Sequence, residues 1–330
     1  MMYHAKEISE YCESEDIKFI RLCFCDIYGR QKNISIMPSQ LERAFESGIA
    51  FDGSAVRGFG RVESSDLFLM PDPDTLTILP WRPEQQRVAR MYCSVVTPDG
   101  GIHECDTRNI LKKAVKSARE NGLTLMFGHD HEFGVFDSDN GKKPADRGGY
   151  MDMAPLDRCE NYRRELCLTL EKMGMKIKGS HHGDGYGRNR ISLGSTDALK
   201  AADDTMTFIT AARAVAESFG LTADISDMSL HITLSFGGER PGNVISDISK
   251  IMKDALSFLD TKNNSQTGIS INIDDDLIRA DIVLRFVHIN PYLLFAAVID
   301  AAVCCCKGSY DTTRSFEFSL PEQIAEMYNR

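Results

Sequence analysis

The chain shows two kinds of apolar spacing, which alternate from one end of the sequence to the other. Apolar residues two apart predict β-strands, and apolar residues three and four apart predict amphipathic helices. The predicted strands cover residues 17–26, 33–36, 67–70, 76–81, 88–96, 127–136, 175–182, 229–236, 269–273 and 281–287. The predicted helices cover residues 4–14, 38–47, 107–121, 158–173, 197–219, 245–259, 292–305 and 319–328. Strands and helices in this order predict an α+β protein.

Residues with special backbone or capping properties mark several of these boundaries. Asp106 is a helix N-cap, and Pro291 stands at the first position of a helix, where proline is favoured. Gly48 and Gly220 follow the last apolar position of their helices, as expected for C-terminal glycines. The loop at 137–149 is rich in Asp, Gly, Lys and Pro and is predicted to lie on the surface.

The strand at 127–136 has one apolar face and one acidic face. His129 and His131 share the first face with phenylalanines, whereas Asp130 and Glu132 share the other. Because two carboxylates side by side repel each other, a cation commonly lies between them. Taken alone, the pattern favours a solvated polar face on a half-buried sheet, with a metal site at Asp130 and Glu132 as the alternative.

Composition and charge exclude several classes of protein. The chain has 330 residues, of which 42% are hydrophobic and 26% charged, as in an ordinary globular protein. Its net charge of -10 disfavours nucleic acid and anionic membrane as partners. No apolar run reaches the roughly 18 residues of a membrane-spanning helix, and the charged amino terminus argues against a secretory signal.

The ten cysteines are not arranged in C-x-x-C pairs, which favours reduced thiols and a cytoplasmic location. Residues 304–306 are consecutive cysteines after an apolar helix. A metal-binding thiol cluster there is the alternative to cysteines that simply pack as small apolar residues.

Six motifs follow one another between about Ile8 and Lys307. They are FDGSAVRGF at 51–59, SDLFLMPD at 65–72 with LPW at 79–81, GHDHEF at 128–133, GGYMDMAP at 148–155, SHH at 180–182 and NPYL at 290–293. Together they resemble, in order, motifs of the glutamine synthetase family. The fourth resembles the family's KGGYFDLAP and the third its G-P-E-x-E-F strand.

The resemblance implies a two-domain architecture. A small β-grasp-like domain would cover residues 1–103. A shortened catalytic domain, of the glutamine synthetase and guanido kinase type, would cover 104–330, with a curved antiparallel sheet backed by helices. The family joins glutamate to ammonia with ATP and Mg²⁺ or Mn²⁺, and it forms rings. Its FDGSS loop reaches a neighbouring subunit's site, which implies a catalytic role for Asp52 and a homo-oligomer, although Ala55 replaces the second serine.

The family's metal ligands are five glutamates and a histidine, and this chain keeps half of them. The resemblance implies that Asp130, Glu132 and His231 are metal ligands. The remaining three glutamate positions are occupied by residues that do not bind metals, namely Gly183, Arg190 and Val283. Arg285 matches the last arginine of the family's R-x-E-x-R strand and is implied to be catalytic.

The segment between His231 and Arg285 is shorter than in the family, and its arginine-bearing loops have no counterpart. The leading hypothesis is therefore a degenerate, inactive homologue in nitrogen metabolism that acts by binding or assembly. One alternative is an ATP- and metal-dependent carboxylate–amine ligase with another substrate. A second alternative is a regulatory partner of an authentic glutamine synthetase.

Three local alternatives concern the charged and histidine residues around the acidic strand. Arg190 is expected to form an ion pair with Glu132 or Asp130, which would neutralise these carboxylates without a metal. Arg188, Arg190 and Arg285 could instead form an anion pocket. A rebuilt transition-metal site with added histidines is the third possibility. Strand parity disfavours it, and His129 and His131 are expected to be hydrogen-bonded beneath helices.

Overall fold

The structure is a computed structural model that describes residues 2–59, 66–137, 143–236, 268–274, 277–285 and 290–306. Contacts between residues divide the chain into two compact units. The first unit runs to Ile110 and the second begins at Leu111, so the division falls inside one helix, Thr107–Glu120. The domain boundary predicted at 103/104 stays a prediction.

The first unit consists of a mixed sheet and two helices before that boundary helix. Its strands are β1 (Ile17–Cys25), β2 (Gln31–Ile36), β3 (Ile49–Asp52), β4 (Asp66–Pro71), β5 (Thr77–Ile78) and β6 (Arg87–Val96). Its helices are α1 (Met2–Ser14), α2 (Leu41–Ser47) and the start of α3 (Thr107–Glu120). The strand order is β2-β1-β6-β4-β3, with β5 beside β6. Strands β1 and β6 are parallel, and the other pairs are antiparallel.

One face of this sheet forms the core of the first unit. Every second residue of β1, including Ile20 and Leu22, packs with Met91 of β6 and with Leu41 and Phe45 of α2. Burial of these apolar side chains stabilises the unit, at roughly 25 cal/mol for each Å² removed from water. The opposite sheet face is mixed, because it carries Arg21 and Arg90 together with the buried Cys23 and Tyr92.

The strand predicted at 76–81 is the main correction in the first unit, because only Thr77–Ile78 pair with β6. Pro80 has no backbone N–H and cannot extend the ladder. Strand β3 was not predicted, and residues 38–40 of the predicted helix form a 3-10 turn ahead of α2. Two predicted boundaries are confirmed: Gly48, with a positive φ of 73°, follows the end of α2, and Asp106 accepts a hydrogen bond from the amide of Asn109 at 3.1 Å.

The second unit is a sheet backed by helices. Its strands are β7 (Leu123–Asp137), β8 (Ile177–His182), β9 (Arg188–Leu193), β10 (Thr196–Asp197), β11 (Leu221–Phe236), β12 (Gly268–Asp274) and β13 (Leu277–Arg285). Its helices after α3 are α4 (Glu160–Lys172), α5 (Ala198–Ser218) and α6 (Pro291–Cys306). The strand order is β12-β13-β11-β7-β9-β8, with β10 beside β7. All described pairs are antiparallel, as predicted.

Aromatic contacts fix the helices on the apolar face of β7. Phe127 stacks on Phe295 of α6 with ring centroids 4.8 Å apart, and Phe133 contacts Phe208 of α5 edge-on at 5.6 Å. These contacts leave the face of Asp130 and Glu132 on the other side of the sheet.

Strand β9 and the two-residue strand β10 are not among the predicted strands of the second unit. The helices predicted at 245–259 and 319–328 lie outside the described residues. None of the described helices is long and apolar enough to cross a membrane, and no disulfide joins the described cysteines.

Candidate functional site

The face of the second sheet that carries Asp130 and Glu132 consists mostly of polar positions across four strands. Directly paired residues of neighbouring antiparallel strands lie on the same face. The register therefore aligns Arg190, Glu132, Asp227 and Arg285 in one row from β9 to β13. The next row contains Ser192, Asp130, Ser229 and Val283. Acidic positions thus lie at the centre of this face, with basic positions on both sides.

Two arginines of β9 bind the two carboxylates of β7. Arg190 donates from Nε to Oδ2 of Asp130 at 3.1 Å, and its Nη2 donates to the same oxygen. Arg188 donates from Nη2 to Oε1 of Glu132 at 3.2 Å. Arg190 is directly paired with Glu132 but bonds to Asp130, and Arg188 is directly paired with Gly134 but bonds to Glu132. A long side chain can reach such a diagonal neighbour. The predicted ion pair between Arg190 and Asp130 is confirmed, and the second pair was not predicted.

The donor set does not fit the metal sites that the resemblance implies. The carboxylates of Asp130 and Glu132 already accept hydrogen bonds from guanidinium groups, and a guanidinium repels a nearby metal ion. A Cβ atom at Gly183 would lie 3.0 Å from Cβ of Arg188, so even a restored side chain would press on that arginine. The metal site at Asp130, Glu132 and His231 stays a prediction, and this arrangement of charges argues against it.

His231 and Arg285 are placed by backbone register. His231 pairs with Gly128 on one side and with Asp281 on the other, so position 231 lies on the acidic face, next to the row of Asp130. Arg285 pairs with Asp227, which in turn pairs with Glu132. The sequence pattern does not reveal Asp227 and Asp281, because their relation to the acidic strand depends on pairing between distant segments.

His129 and His131 are buried on the opposite face, as predicted. His131 stacks on Phe208 with ring centroids 3.8 Å apart and meets His129 edge-on. Within the described part of the chain, neither ring nitrogen of His131 has a hydrogen-bond partner, so the predicted hydrogen bond is wrong for this residue. Burial, reinforced by His129, lowers the pKa of His131 well below its usual value, which keeps the ring neutral.

A buried polar cluster lies beside the β8–β9 hairpin and was not predicted. Asp146, Asp157 and His182 place ligand-type atoms within 4.8 Å of one another. Asp146 accepts hydrogen bonds from His182 Nε2 at 2.9 Å and from the Gly187 amide at 2.9 Å, while Asp157 pairs with Arg163. These oxygens already accept hydrogen bonds within the protein, so the cluster is structural.

The two charges of this cluster stabilise each other. Burial alone would raise the pKa of Asp146, but the hydrogen bonds from His182 and from backbone amides lower it below its ordinary value. Burial alone would lower the pKa of His182, but Asp146 and the Gly183 carbonyl raise it. The result is a buried carboxylate–imidazolium pair.

In the first unit, Asp52 closes a tight turn. Its Oδ1 accepts hydrogen bonds from the Ser54 amide at 2.9 Å and from the Ser54 hydroxyl at 2.6 Å. Asp52 is exposed. The catalytic roles of Asp52 and Arg285 stay predictions.

Comparison with known families and proteins accounts for both units. The model "Glutamine synthetase, beta-Grasp domain" matches residues 16–98, and "Glutamine synthetase, catalytic domain" matches 104–231. The glutamine synthetase of Clostridium saccharobutylicum is 41% identical over 245 residues, which are 71% of this chain and 55% of that protein. The one from Halobacterium salinarum is 38% identical over 248 residues, with the same two shares. The chain spans about half the length of the curated relatives it matches.

Solved structures agree on the fold. A GmaS–ADP complex superposes with a TM-score of 0.80 at 19% identity, over 97% of this chain and 89% of that one. Glutamine synthetase of Plasmodium falciparum gives 0.77 at 18% identity, over 93% and 76%. The predicted β-grasp domain and helix-backed catalytic-type domain are therefore confirmed. With two matched domain models in order and relatives of about 40% identity, the chain belongs to the glutamine synthetase family.

Proposed function

We propose that this chain is a glutamine synthetase homologue without glutamate–ammonia ligase activity, and that it acts as a subunit of an assembly. The observation that carries this proposal is the pairing of Arg190 with Asp130 and of Arg188 with Glu132. Two carboxylates and two guanidiniums are balanced in charge, so the face needs no metal ion for neutrality.

The proposed loss of activity follows from the chemistry of the family's reaction. ATP must be held with its phosphates neutralised while glutamate's carboxylate attacks the terminal phosphorus. Divalent metals and positioned cations supply most of that catalysis. Without a glutamate at 183 or 190, the acidic face offers too few oxygen ligands for two Mg²⁺ or Mn²⁺ ions and their nucleotide.

An exposed apolar segment supports the second half of the proposal. Tyr150, Met151, Met153 and Leu156 lie within one loop of the second unit and are each more than half exposed. A contiguous group of large apolar side chains on a surface is typical of protein contacts. We infer that this segment packs against another subunit, either a second copy of this chain or a related glutamine synthetase.

Mn²⁺ titration of the purified protein, with and without ATP, tests the loss of the metal site. Calorimetry of the wild-type protein is expected to show no stoichiometric Mn²⁺ binding. An assay that supplies ATP, glutamate and ammonia is expected to show no conversion of ATP to ADP. Arg190→Gln removes the guanidinium from Asp130 and is expected to produce weak but measurable Mn²⁺ binding, because the carboxylate loses its competing cation.

Arg164→Gln is the matched control, since Arg164 is an exposed arginine of α4 in the same unit. It is expected to leave Mn²⁺ binding unchanged. Stoichiometric Mn²⁺ binding by the wild-type protein, together with ATP turnover, would overturn the proposal in favour of a carboxylate–amine ligase.

A further inference from the structure

The loop ahead of α4 carries two exposed methionines that the family motif does not have. Where the motif KGGYFDLAP has phenylalanine and leucine, this chain has Met151 and Met153. Met151 is 56% exposed and Met153 is 79% exposed, so neither side chain fills the core of the unit. The two changes replace hydrocarbon side chains by thioethers, which are ligands for soft metal ions.

Contacts of the loop hold Met151 beside the carboxyl end of β8. The Met151 amide donates a hydrogen bond to the His182 carbonyl at 3.0 Å. The Tyr150 ring meets the His181 ring edge-on, with ring centroids 5.2 Å apart. Met151 has a φ of 60°, a left-handed conformation that residues other than glycine rarely adopt. The backbone of the first thioether residue is therefore fixed next to a histidine.

Met151, Met153 and His181 line one open cleft of about 520 Å³, between the loop, α4 and β8. The cleft has room for a metal ion and for movement of both methionine side chains. Among the described residues, its lining includes four acidic and three basic side chains. The charge of the lining therefore does not oppose a monovalent cation.

The imidazole of His181 has the hydrogen bond that is usual for a metal-bound histidine. Its Nδ1 lies 2.8 Å from the His182 carbonyl oxygen. Because a carbonyl oxygen only accepts, Nδ1 carries the proton and Nε2 keeps its lone pair. In the part of the chain that the structure describes, no hydrogen bond or ion pair engages Nε2. Such a bond from one ring nitrogen to a backbone carbonyl orients the other nitrogen towards a metal.

We propose that Met151, Met153 and His181 bind one Cu⁺ ion. Two thioethers and an imidazole form a soft donor set, which suits Cu⁺ better than the hard ions Mg²⁺ and Mn²⁺. The thioethers reach Nε2 by rotation about the three flexible bonds of each methionine side chain. A monovalent ion is also repelled less by nearby arginines than a divalent ion would be.

Ag⁺ titration of the full chain, labelled with ¹³C in its methionine methyl groups, tests this site by NMR. Ag⁺ is a redox-stable probe with the ligand preference of Cu⁺. Of the 14 methionine signals, those of Met151 and Met153 are expected to shift together and to saturate. The signal of Met37, which is 45% exposed in the first unit, is expected to stay in place. Because each methionine reports separately, binding of Ag⁺ to cysteine thiols is distinguished from binding at this site.

Three variants test the ligands one at a time. Met151→Leu and Met153→Leu remove the sulfur, and His181→Gln removes the imidazole. Each is expected to weaken Ag⁺ binding about tenfold or more, as read from the remaining methionine signals of the site. Met37→Leu is the matched control and should bind as the wild-type protein does.

The leucine variants keep the apolar area of the loop, so the proposed subunit contact should survive in them. Loss of Ag⁺ binding without loss of assembly therefore separates the metal site from the contact. The proposal is overturned if neither methyl signal shifts, if Met37 responds at the same Ag⁺ concentration, or if His181→Gln binds as tightly as the wild-type protein.

Discussion

Arg190 lies where the resemblance places a glutamate, and strand pairing puts it directly opposite Glu132 and within reach of Asp130. A third carboxylate at this position would leave the face with a negative charge that only a cation could balance. The guanidinium of Arg190 makes the charge at that position positive, and together with Arg188 it balances the charges of both acids. The side chains of β9 therefore neutralise the two acids of β7 from within the protein.

A second residue pair, His182 with Asp146, makes the stability of the fold depend on pH. The fold raises the pKa of His182 above its ordinary value of 6.5, because Asp146 and the Gly183 carbonyl accept its two N–H groups. The folded state therefore binds more protons than the unfolded state between pH 6.5 and the raised pKa. The stabilisation that His182 gives the folded state is fully present below pH 6.5 and is lost as the pH rises through its folded pKa. Asp146 has a lowered pKa, so its contribution is lost only when the pH falls below its ordinary 3.8.

Urea unfolding from mildly acidic to alkaline pH measures this dependence. Below pH 6.5, His182→Gln is expected to lower the free energy of unfolding by about 3 kcal/mol, because Asp146 loses its buried counter-charge. The difference from wild type is expected to shrink as pH rises. His181→Gln is the control, since the His181 ring contacts the His182 carbonyl and the edge of Tyr150 and, among the described residues, forms no ion pair. An unfolding free energy of His182→Gln that differs from wild type equally at every pH would contradict the assignment.

At the scale of elements, the β8–β9 hairpin positions both arginines. Gly187 immediately precedes β9, with a positive φ of 65°, and its carbonyl accepts a hydrogen bond from the Val135 amide at 2.8 Å. Its own amide donates to Asp146. These bonds fix the register between β7 and β9, so Arg190 lies opposite Glu132 and Arg188 opposite Gly134.

Gly187→Ala is expected to destabilise the second unit by about 3 kcal/mol or more. An added Cβ would lie 2.6 Å from the Val135 carbonyl oxygen, and the backbone conformation is unfavourable for alanine. Gly174→Ala is the matched control, because Gly174 also has a positive φ, of 82°, but has no atom within 4 Å of the added Cβ. Its cost should be about 1 kcal/mol. Equal urea midpoints for the two variants would show that the close contact at Gly187 does not matter.

The hairpin also shows what sequence patterns predict and what they miss. The long strands and helices follow apolar periodicity, and α1, α3, α5 and β6 were predicted to within a few residues. Strand β9 reads RNRISL, in which two arginines hide the alternation. It is a strand because those arginines find carboxylates across β7, a contact that no local pattern contains.

Asp146 was missed for a similar reason. Its neighbours have the composition of a surface loop, yet it is 3% exposed because it bonds to His182 and to distant amides. The ion pair of Arg190 could be predicted, since the resemblance aligned it with the acidic strand. The roles of His231 and Arg285 depend on side-chain contacts of β11 and β13, which strand pairing does not determine.

For the whole molecule, surface chemistry decides whether the chain assembles. The net charge of -10 makes copies repel each other at long range, so apolar contacts must outweigh this repulsion. The loop with Tyr150, Met151, Met153 and Leu156 offers such contacts, and Met153 is 79% exposed. Salt shortens the range of the repulsion and should favour association.

Sedimentation velocity at several protein concentrations tests the proposed assembly. The wild-type protein is expected to sediment as an oligomer, whose share increases with added salt because the acidic surfaces are screened. Replacing Tyr150 and Met153 together by serine removes apolar area from the contact. The double variant should therefore raise the dissociation constant of the oligomer about tenfold and increase the share of monomer. Met37→Ser removes a similarly large exposed side chain, 45% exposed, from the first unit and should have no effect.

A wild-type protein that stays monomeric, alone and when mixed with a glutamine synthetase, would exclude assembly as its role. An oligomer that tolerates both serines would place the contact on another surface.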